Sequence, residues 1–231
     1  MDRSMKPLDV VYGSAAAGDR QRVLRNTYAL LALSMLPTVL GAWLGGVMGC
    51  SFFAGSPFSG LMVFMGVAFG FFFAIEKFKN SGLGVVLLLG FTFFMGLMLS
   101  RMLGHVLGLS NGASLIATAF GGTALVFGGM ATLASTMKRD VSSLGKWLFV
   151  GLAVMIVAAV ANIWLQMPAL YLALSAMGVV IFSAFILYDL KRIIDGGETN
   201  YVTATLSVYL SVYNLFSSLL HLLTALGGGD D

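Results

Sequence analysis

One carboxylate in this sequence follows an apolar run, where a charged group has few partners. Asp189 comes directly after the apolar stretch that ends at Leu187 and Tyr188, and Lys191 and Arg192 follow it. A carboxylate at the centre of a bilayer costs roughly 2.5–3.5 kcal/mol on insertion scales, and the cost is smaller near the interface. Two interpretations stay open. Asp189 marks the polar end of a membrane helix, or it points inward as a proton or cation gate.

A polar stripe in the last apolar segment of the chain is the second candidate. Its members recur at spacings of four, three, four and three positions: Ser207, Ser211, Asn214, Ser218 and His221. This period places all five on one face of a helix. Because polar side chains that face lipid are costly, we expect this face to point into a helix bundle, with the last helix at its centre. The stripe could hydrogen-bond neighbouring helices or form a wall of a hydrated path, and the sequence leaves both open.

Glu76 and Lys77 end another apolar segment, at the same expected depth in the membrane as Asp189. Charged groups inside a membrane tend to pair with one another. Glu76 and Lys77 are therefore the nearest candidate partners of Asp189, and we count them as candidates for the same gate or pH sensor.

The segment between Asp189 and the stripe has the composition of a turn followed by the start of a helix. Gly196 and Gly197 permit a positive φ. Thr199 or Asn200 can cap the first free amides of the next helix, and Glu198 complements the positive end of its dipole. These five residues need no catalytic role.

The sequence lacks the patterns of common enzymes. It contains no HExxH, no GxSxG and no glycine-rich phosphate loop followed by lysine. The single cysteine and the two histidines lie in separate segments, so no cluster has the spacing of metal ligands. We therefore expect no catalytic residue, no metal site and no cofactor, and a protein that is not an enzyme. The net charge of +3 is too small and too dispersed to indicate nucleic acid as a partner.

Composition places these residues in a membrane protein. Of the 231 residues, 58% are hydrophobic and 10% are charged, whereas about 25% of a soluble domain is charged. A helix needs ~20 apolar residues to cross ~30 Å of hydrocarbon, and free backbone groups have no partners in lipid. Seven segments are long enough: 26–48, 58–75, 82–100, 113–136, 147–165, 169–187 and 201–226. The sequence thus predicts an all-α bundle of seven transmembrane helices in a lipid bilayer.

The basic residues predict the orientation of the bundle. Twelve of the thirteen fall in the N-terminal tail or in the connections after the second, fourth and sixth spans, and Arg101 is the exception. Because basic connections stay in the cytoplasm, we expect a cytoplasmic N-terminus and a periplasmic C-terminus. Residues 1–25 form a basic tail without apolar periodicity, which we predict to be disordered. Residues 26–226 form the transmembrane domain, and residues 227–231 a short periplasmic tail.

Glycines at every fourth position allow helix backbones to approach closely. Gly41, Gly45 and Gly49 show this spacing in the first span, and Gly66 and Gly70 show it in the second. The pattern is typical of tight packing inside one bundle, and a homodimer face is the alternative.

Several short segments form a recognisable series along the chain. They are VLRNTY at 23–28, GGTALVF at 121–127, NIWLQMPAL at 162–170, ILYD at 186–189, GGETNY at 196–201, LSVY at 206–209 and NLF at 214–216. Together these segments resemble the Bax inhibitor-1 family and, within it, the YccA-type bacterial branch. The likeness covers about residues 20–226.

The resemblance implies seven helices with the last one central, and it implies two competing functions. Some family members are pH-sensitive calcium leak channels, gated by paired aspartates in the sixth and seventh helices and latched by an arginine at the end of the second. The first aspartate matches Asp189, the second position holds Ser211, and the arginine region reads Glu76-Lys77. One candidate function is therefore a cation leak, for calcium or protons, gated by Asp189.

The bacterial branch instead looks like modulators of the membrane protease FtsH, described as substrates that the protease degrades slowly. This is the leading hypothesis. It describes a multi-pass protein of the bacterial inner membrane that binds and occupies a membrane-anchored, ATP-dependent protease of the FtsH type. The N-terminal tail would be the segment that the protease grips.

Topology can be tested with reporter fusions. Fusions after Lys79 and after Arg192 should report a cytoplasmic position, and fusions at Gly55 and at the C-terminus a periplasmic one, because positive connections remain inside. Enzymatic reporters active on only one side of the membrane make the measurement. A cytoplasmic C-terminus would contradict the count of seven spans.

Overall fold

The computed structural model describes residues 7–48 and 57–227, and within these ranges the chain forms seven α-helices. Each is long and apolar enough to cross a membrane. Their bounds are α1 Pro7–Met48, α2 Pro57–Phe78, α3 Gly82–Leu107, α4 Gly112–Thr136, α5 Ser142–Leu165, α6 Pro168–Ile194 and α7 Tyr201–Gly227. The prediction of an all-α bundle of seven transmembrane helices is confirmed.

The last helix is central, as its polar stripe predicts. α7 packs against α1, α2, α3, α4 and α6, whereas α5 packs against α6, and α2 packs mainly against α3. The side chains of Val202, Val208, Tyr209, Leu215 and Leu220 on α7 are fully buried. α2 and α5 therefore form the edges of the bundle.

Contacts between α1 and α7 show that these helices run in the same direction. Thr205 Oγ1 donates to the carbonyl oxygen of Thr27 at 3.5 Å, and the hydroxyls of Tyr209 and Thr38 lie 2.8 Å apart. Both contacts advance together along the chain. Odd-numbered helices that run parallel are what alternating passes through a membrane require, so the connections after α2, α4 and α6 share one face of the bundle.

The parallel pair α1 and α3 is joined through glycines. A methyl group on Gly41 would overlap the carbonyl oxygen of Phe93, and one on Gly96 would overlap that of Thr38. At Gly45 a methyl group would meet the side chain of α3 that lies opposite it. The two backbones are thus in direct contact, which only residues without a Cβ permit.

The other glycines of the repeated spacing behave differently. Gly66 and Gly70 on α2 have open space where a methyl group would stand, so they do not pack inside the bundle. Gly49 lies outside the described residues. The internal-packing interpretation therefore fits α1, and for α2 a homodimer face remains a prediction.

The predicted disordered tail over residues 1–25 needs correction, because α1 begins at Pro7. Residues 1–6 lie outside the described ranges. Adding residues to an existing helix is easy compared with nucleating a new one, and the run Ala15-Ala16-Ala17 has the highest helix propensity. Apolar periodicity reports burial, and this segment is helical without being part of a span.

Other helices also exceed the predicted spans: α2 ends at Phe78 and α5 begins at Ser142. α3 continues to Leu107, so Arg101 lies within it, and α6 continues to Ile194, so Asp189 lies more than one turn before its end. α7 ends at Gly227, and residues 228–231 of the predicted periplasmic tail lie outside the described ranges.

Asp140 closes the connection between α4 and α5. Its carboxylate accepts hydrogen bonds from the hydroxyl and the backbone amide of Ser142, at 2.5 and 2.8 Å. These bonds hold the pKa of Asp140 below its usual range. The residue is exposed and does not contribute to the interior of the bundle.

The backbone contact between α1 and α3 generates a stability prediction. Gly41→Ala should lower the free energy of unfolding by about 1–3 kcal/mol, because the added methyl group forces the two helices apart. Thermal unfolding of the detergent-solubilised protein measures the effect. Gly46→Ala is the matched control on the same helix, since nothing lies within 4 Å of the position of its methyl group. Equal unfolding midpoints for the two variants would show that the α1–α3 contact does not limit stability.

A candidate functional site along the seventh helix

Asp189 and Ser211 join α6 to α7. The hydroxyl of Ser211 donates to Oδ2 of Asp189 at 3.0 Å and also lies 3.1 Å from the carbonyl oxygen of Ser207. A hydroxyl has one hydrogen, so the two acceptors compete for it. When Asp189 is ionised it accepts from Ser211; when it is protonated it can donate to Ser211, which is then free to bond Ser207. The Asp189 side chain therefore points into the bundle.

Small residues bring α6 and α7 close together on the same face. At Gly178 an added methyl group would overlap the Ser218 hydroxyl. Small side chains at such positions are typical of helix contacts inside membranes. The Gly178–Ser218 approach and the Asp189–Ser211 hydrogen bond therefore join α6 and α7 at two levels.

A cavity of ≈870 Å³ lies against this face of α7, between α2, α3, α5 and α6. All five residues of the predicted stripe line it, together with Asp189. The polar residues around the cavity are Asn162, Tyr171, Ser175, Asp189, Ser207, Ser211, Asn214, Ser217, Ser218 and His221. The cavity is thus polar along α7 and along one face of α6, and it is apolar along α2 and α3. We call it the α7 crevice.

The crevice reaches the outer surface of the bundle between the two edge helices. Met65 and Phe69 on α2 and Ile156 on α5 line the cavity and are also exposed. Because α2 and α5 are the least buried spans, this opening faces the lipid. His221 lies 14 positions after Ser207, or ~21 Å along the helix, so the crevice runs through much of the membrane.

Besides Ser211, two members of the stripe have identifiable contacts. The amide of Asn214 donates to the carbonyl oxygen of Leu210 at 2.8 Å, so its own oxygen is left for another partner. The ring centre of His221 lies 4.9 Å from that of Tyr171 at the far end of the crevice. The stripe therefore combines hydrogen bonding within α7 with groups that face open space, and both interpretations of it retain support.

Glu76 and Lys77, the predicted partners of Asp189, lie elsewhere. Glu76 forms an ion pair with Lys79 near the end of α2, and the ammonium of Lys77 lies 5.7 Å from the ring centre of Phe78. Neither Glu76 nor Lys77 lines the crevice. Equal depth in the membrane did not bring these side chains to Asp189, because the turn of α2 directs them to its exposed surface.

The turn between α6 and α7 forms as its composition predicts. Gly196 has a φ of 81°, and of the two glycines it is the one with a positive value. Asn200 caps α7, since its Oδ1 accepts from the amides of Val202 and Thr203 at 2.9 and 3.3 Å. Thr199, the alternative cap, instead donates its backbone amide to Glu198 at 3.0 Å.

Glu198 and Asn200 also have roles that the sequence does not indicate. Glu198 Oε2 lies 3.6 Å from the Arg192 guanidinium. The Asn200 amide donates to the carbonyl oxygen of Lys79 at 3.1 Å and to Asn80 Oδ1 at 2.8 Å. Asn200 therefore joins the α6–α7 turn to the α2–α3 turn at the same end of the bundle.

Four polar residues of the crevice were missed by the sequence analysis: Asn162, Tyr171, Ser175 and Ser217. A signal existed for two of them. Tyr171, Ser175, Gly178, Phe182, Phe185 and Asp189 recur at spacings of four, three, four, three and four, the same period as the stripe on α7. Asn162 on α5 has no such companion.

The comparisons with known proteins agree with this architecture. The family described as "Inhibitor of apoptosis-promoting Bax1" matches residues 20–228. A protein of Escherichia coli strain K12 named "Modulator of FtsH protease YccA" is 41% identical over 202 residues, which cover 87% of this chain and 89% of that protein. An uncharacterised protein of Pseudomonas aeruginosa is 41% identical over 94% of this chain and 96% of its own length. One of Neisseria meningitidis serogroup A is 39% identical over 96% and 99%.

The match to the family extends from the cytoplasm-facing part of α1, as predicted from its charges, to the end of α7, and it includes the crevice and the Asp189–Ser211 pair. The relatives are similar over nearly their whole length, so the likeness concerns the entire bundle. This multi-pass membrane protein belongs to the Bax inhibitor-1 family.

Proposed function

We propose that the protein binds and occupies a membrane-anchored, ATP-dependent protease of the FtsH type as a slowly degraded, competing substrate. The observation that carries the proposal is the relative named as a modulator of FtsH protease, which is 41% identical over most of both chains. In this proposal the protein is not an enzyme. It lies in the bacterial inner membrane with its N-terminus in the cytoplasm and its C-terminus in the periplasm.

The length of α1 supports a segment that the protease can reach. Its 42 residues correspond to ~63 Å of helix, about twice the ~30 Å of the hydrocarbon core. Arg20, Arg22 and Arg25 lie just before the apolar part, and all three are exposed. Basic residues at this point are expected at the cytoplasmic interface, so the preceding turns of α1 project from the membrane on the side where such a protease acts.

This projecting part can be unfolded easily. The ends of helices fray at a free-energy cost close to zero, and residues 7–19 form the N-terminal part of α1. In this proposal the segment that the protease grips is a short stretch of helix, whereas the sequence predicted a disordered chain. Unravelling it requires little work before the pull reaches the membrane body.

The membrane body resists the same pull at its first helix. α1 is held to α3 by the backbone contacts at Gly41 and Gly96. It is held to α7 by the buried hydrogen bond between Thr38 and Tyr209, at 2.8 Å. Extraction must break these contacts and bring apolar side chains into water at ~25 cal/mol per Å². An accessible end on a body that is hard to extract is what a slow substrate requires.

Removal of residues 1–19 should slow the turnover of the protein, because the protease loses its grip while the bundle remains. Pull-down from membranes detects the protease, and decay after synthesis is blocked gives the turnover. Gly41→Ala should act in the opposite direction and shorten the half-life, and Gly46→Ala is its matched control. Absence of the protease from a pull-down of the full-length protein would defeat the proposal. Unchanged turnover of the truncated form would leave the binding proposal in place, but it would contradict the claim that the protease grips residues 1–19.

A second function is favoured by the position of Asp189. Its side chain lines the α7 crevice and is bonded to Ser211, the position at which the family likeness places a second acidic residue. We propose, as the alternative, a proton-dependent cation leak along this crevice. One carboxylate supplies few of the oxygen ligands that calcium gathers, so a weak or proton-selective path fits the crevice better than a tight calcium site.

Ion flux into proteoliposomes separates the two functions. If Asp189 gates a leak, Asp189→Asn should change the flux of protons or calcium and abolish its dependence on pH, because the amide cannot ionise. Asp140→Asn is the matched control, since Asp140 lies in an exposed connection. Equal flux through the wild type and Asp189→Asn, or flux through neither, would exclude the gate while leaving the protease proposal intact.

A further inference from the structure

The α7 crevice contains a carboxylate that forms no ion pair among the described residues. Of those that line it, Asp189 is the only acidic or permanently charged side chain. Lys191 binds Asp195 at 2.7 Å, and Arg192, whose charge acts on Asp189 only through space, lies 3.6 Å from Glu198. Ser211 supplies Asp189 with a hydrogen bond but no charge. A charge in such a setting is stabilised by a cationic partner.

The walls of the crevice favour a partner that carries hydrocarbon. Phe64, Phe69 and Phe72 line it from α2, and Met155 and Ile156 from α5. A bare inorganic cation gains nothing from these surfaces. A cavity of ≈870 Å³ also lies within the ~300–1,000 Å³ typical of sites for organic ligands, which combine apolar walls with a few polar groups.

The depth of Asp189 is close to the boundary between the hydrocarbon core and the headgroup region of the bilayer. α6 has 27 residues, or ~40 Å of helix, so it exceeds the ~30 Å hydrocarbon core by roughly 5 Å at each end. Asp189 lies five residues before the end of α6, about 8 Å along the helix. Its carboxylate is therefore only ~3 Å inside the boundary of the hydrocarbon core.

We propose that the α7 crevice binds a phospholipid whose headgroup carries a primary ammonium, as phosphatidylethanolamine does. The ammonium pairs with the Asp189 carboxylate, and the exposed Ser207 hydroxyl donates to the phosphate. One acyl chain lies along the apolar walls, and the lipid enters from the bilayer between Phe69 on α2 and Ile156 on α5. This inference does not rest on either proposed function, since it concerns lipid binding by the bundle alone.

Lipid retention tests the proposal. The full-length protein in detergent is incubated with equal amounts of phosphatidylethanolamine and phosphatidylglycerol of the same acyl chains, and the lipid that remains after purification is measured by mass spectrometry. The wild type should retain phosphatidylethanolamine ~10-fold better, the effect of one hydrogen bond to a charged group. Asp189→Asn should abolish this preference and Asp140→Asn should keep it. Equal retention of both lipids by the wild type, or a preference that survives Asp189→Asn, overturns the proposal.

A second variant closes the crevice without changing the carboxylate. Ala159 lines the crevice from α5 and is exposed, so Ala159→Trp should fill the space and lower retention of phosphatidylethanolamine to that of phosphatidylglycerol. Thermal unfolding establishes that the variant is folded. Wild-type retention by folded Ala159→Trp would place the lipid elsewhere and contradict the proposal.

A soluble amine is distinguished from a lipid by competition. Glycerophosphoethanolamine has the same headgroup without acyl chains, and in 100-fold excess it should leave the retained lipid unchanged. Displacement of the lipid at that excess would show that the headgroup alone accounts for binding, and it would overturn the assignment of a lipid.

Discussion

The hydrogen-bonding side chains of α7 have no partners in lipid, and the other helices are arranged to supply them. Tyr209 is fully buried, with its hydroxyl 2.8 Å from Thr38 Oγ1 on α1 and 3.4 Å from the carbonyl oxygen of Thr92 on α3. The hydroxyl of Tyr213 donates to the carbonyl oxygen of Met95 at 3.1 Å. Water competes weakly for such groups inside a membrane, so satisfying them determines which helices must surround α7.

This constraint gives α7 two different sides. A second cavity, of ≈710 Å³, lies between α1, α3, α4 and α7, and both Tyr209 and Tyr213 line it. Their hydroxyls are already engaged by the neighbouring helices. On the opposite side, the α7 crevice holds Asp189 and the stripe, where several polar groups face open space. The polar groups that face open space therefore lie on one side of α7, while the other side holds the helix in place.

Much of this arrangement follows from simple properties of the sequence. The length of each apolar segment predicts the seven spans, and the period of the stripe predicts that α7 faces inward, because both depend on the chain's own contact with lipid. The partner of Asp189 was predicted wrongly. Depth can be read along one helix, but the rotation of α2 that turns Glu76 away from the crevice depends on how α2 packs.

The remaining features depend on contacts between distant segments. Asn200 is identifiable as a helix cap from its position, whereas its bonds to the α2–α3 turn involve residues 120 and 121 positions away. The sequence did not predict the extension of α1 to Pro7, for another reason. Hydropathy detects burial in lipid, and a helix that leaves the membrane has no such signal.

Because α7 is both the central helix of the bundle and the last helix of the chain, the ribosome synthesises the centre of the bundle last. When the first six helices have been made, Thr38 lacks Tyr209 and Asp189 lacks Ser211. At about 5–20 residues per second, the 27 residues of α7 take roughly 1–5 s to synthesise. During that interval the chain lacks the helix against which α1, α2, α3, α4 and α6 pack. A chain that terminates before α7 is consequently not a smaller form of the same bundle, because it lacks the element around which the others assemble.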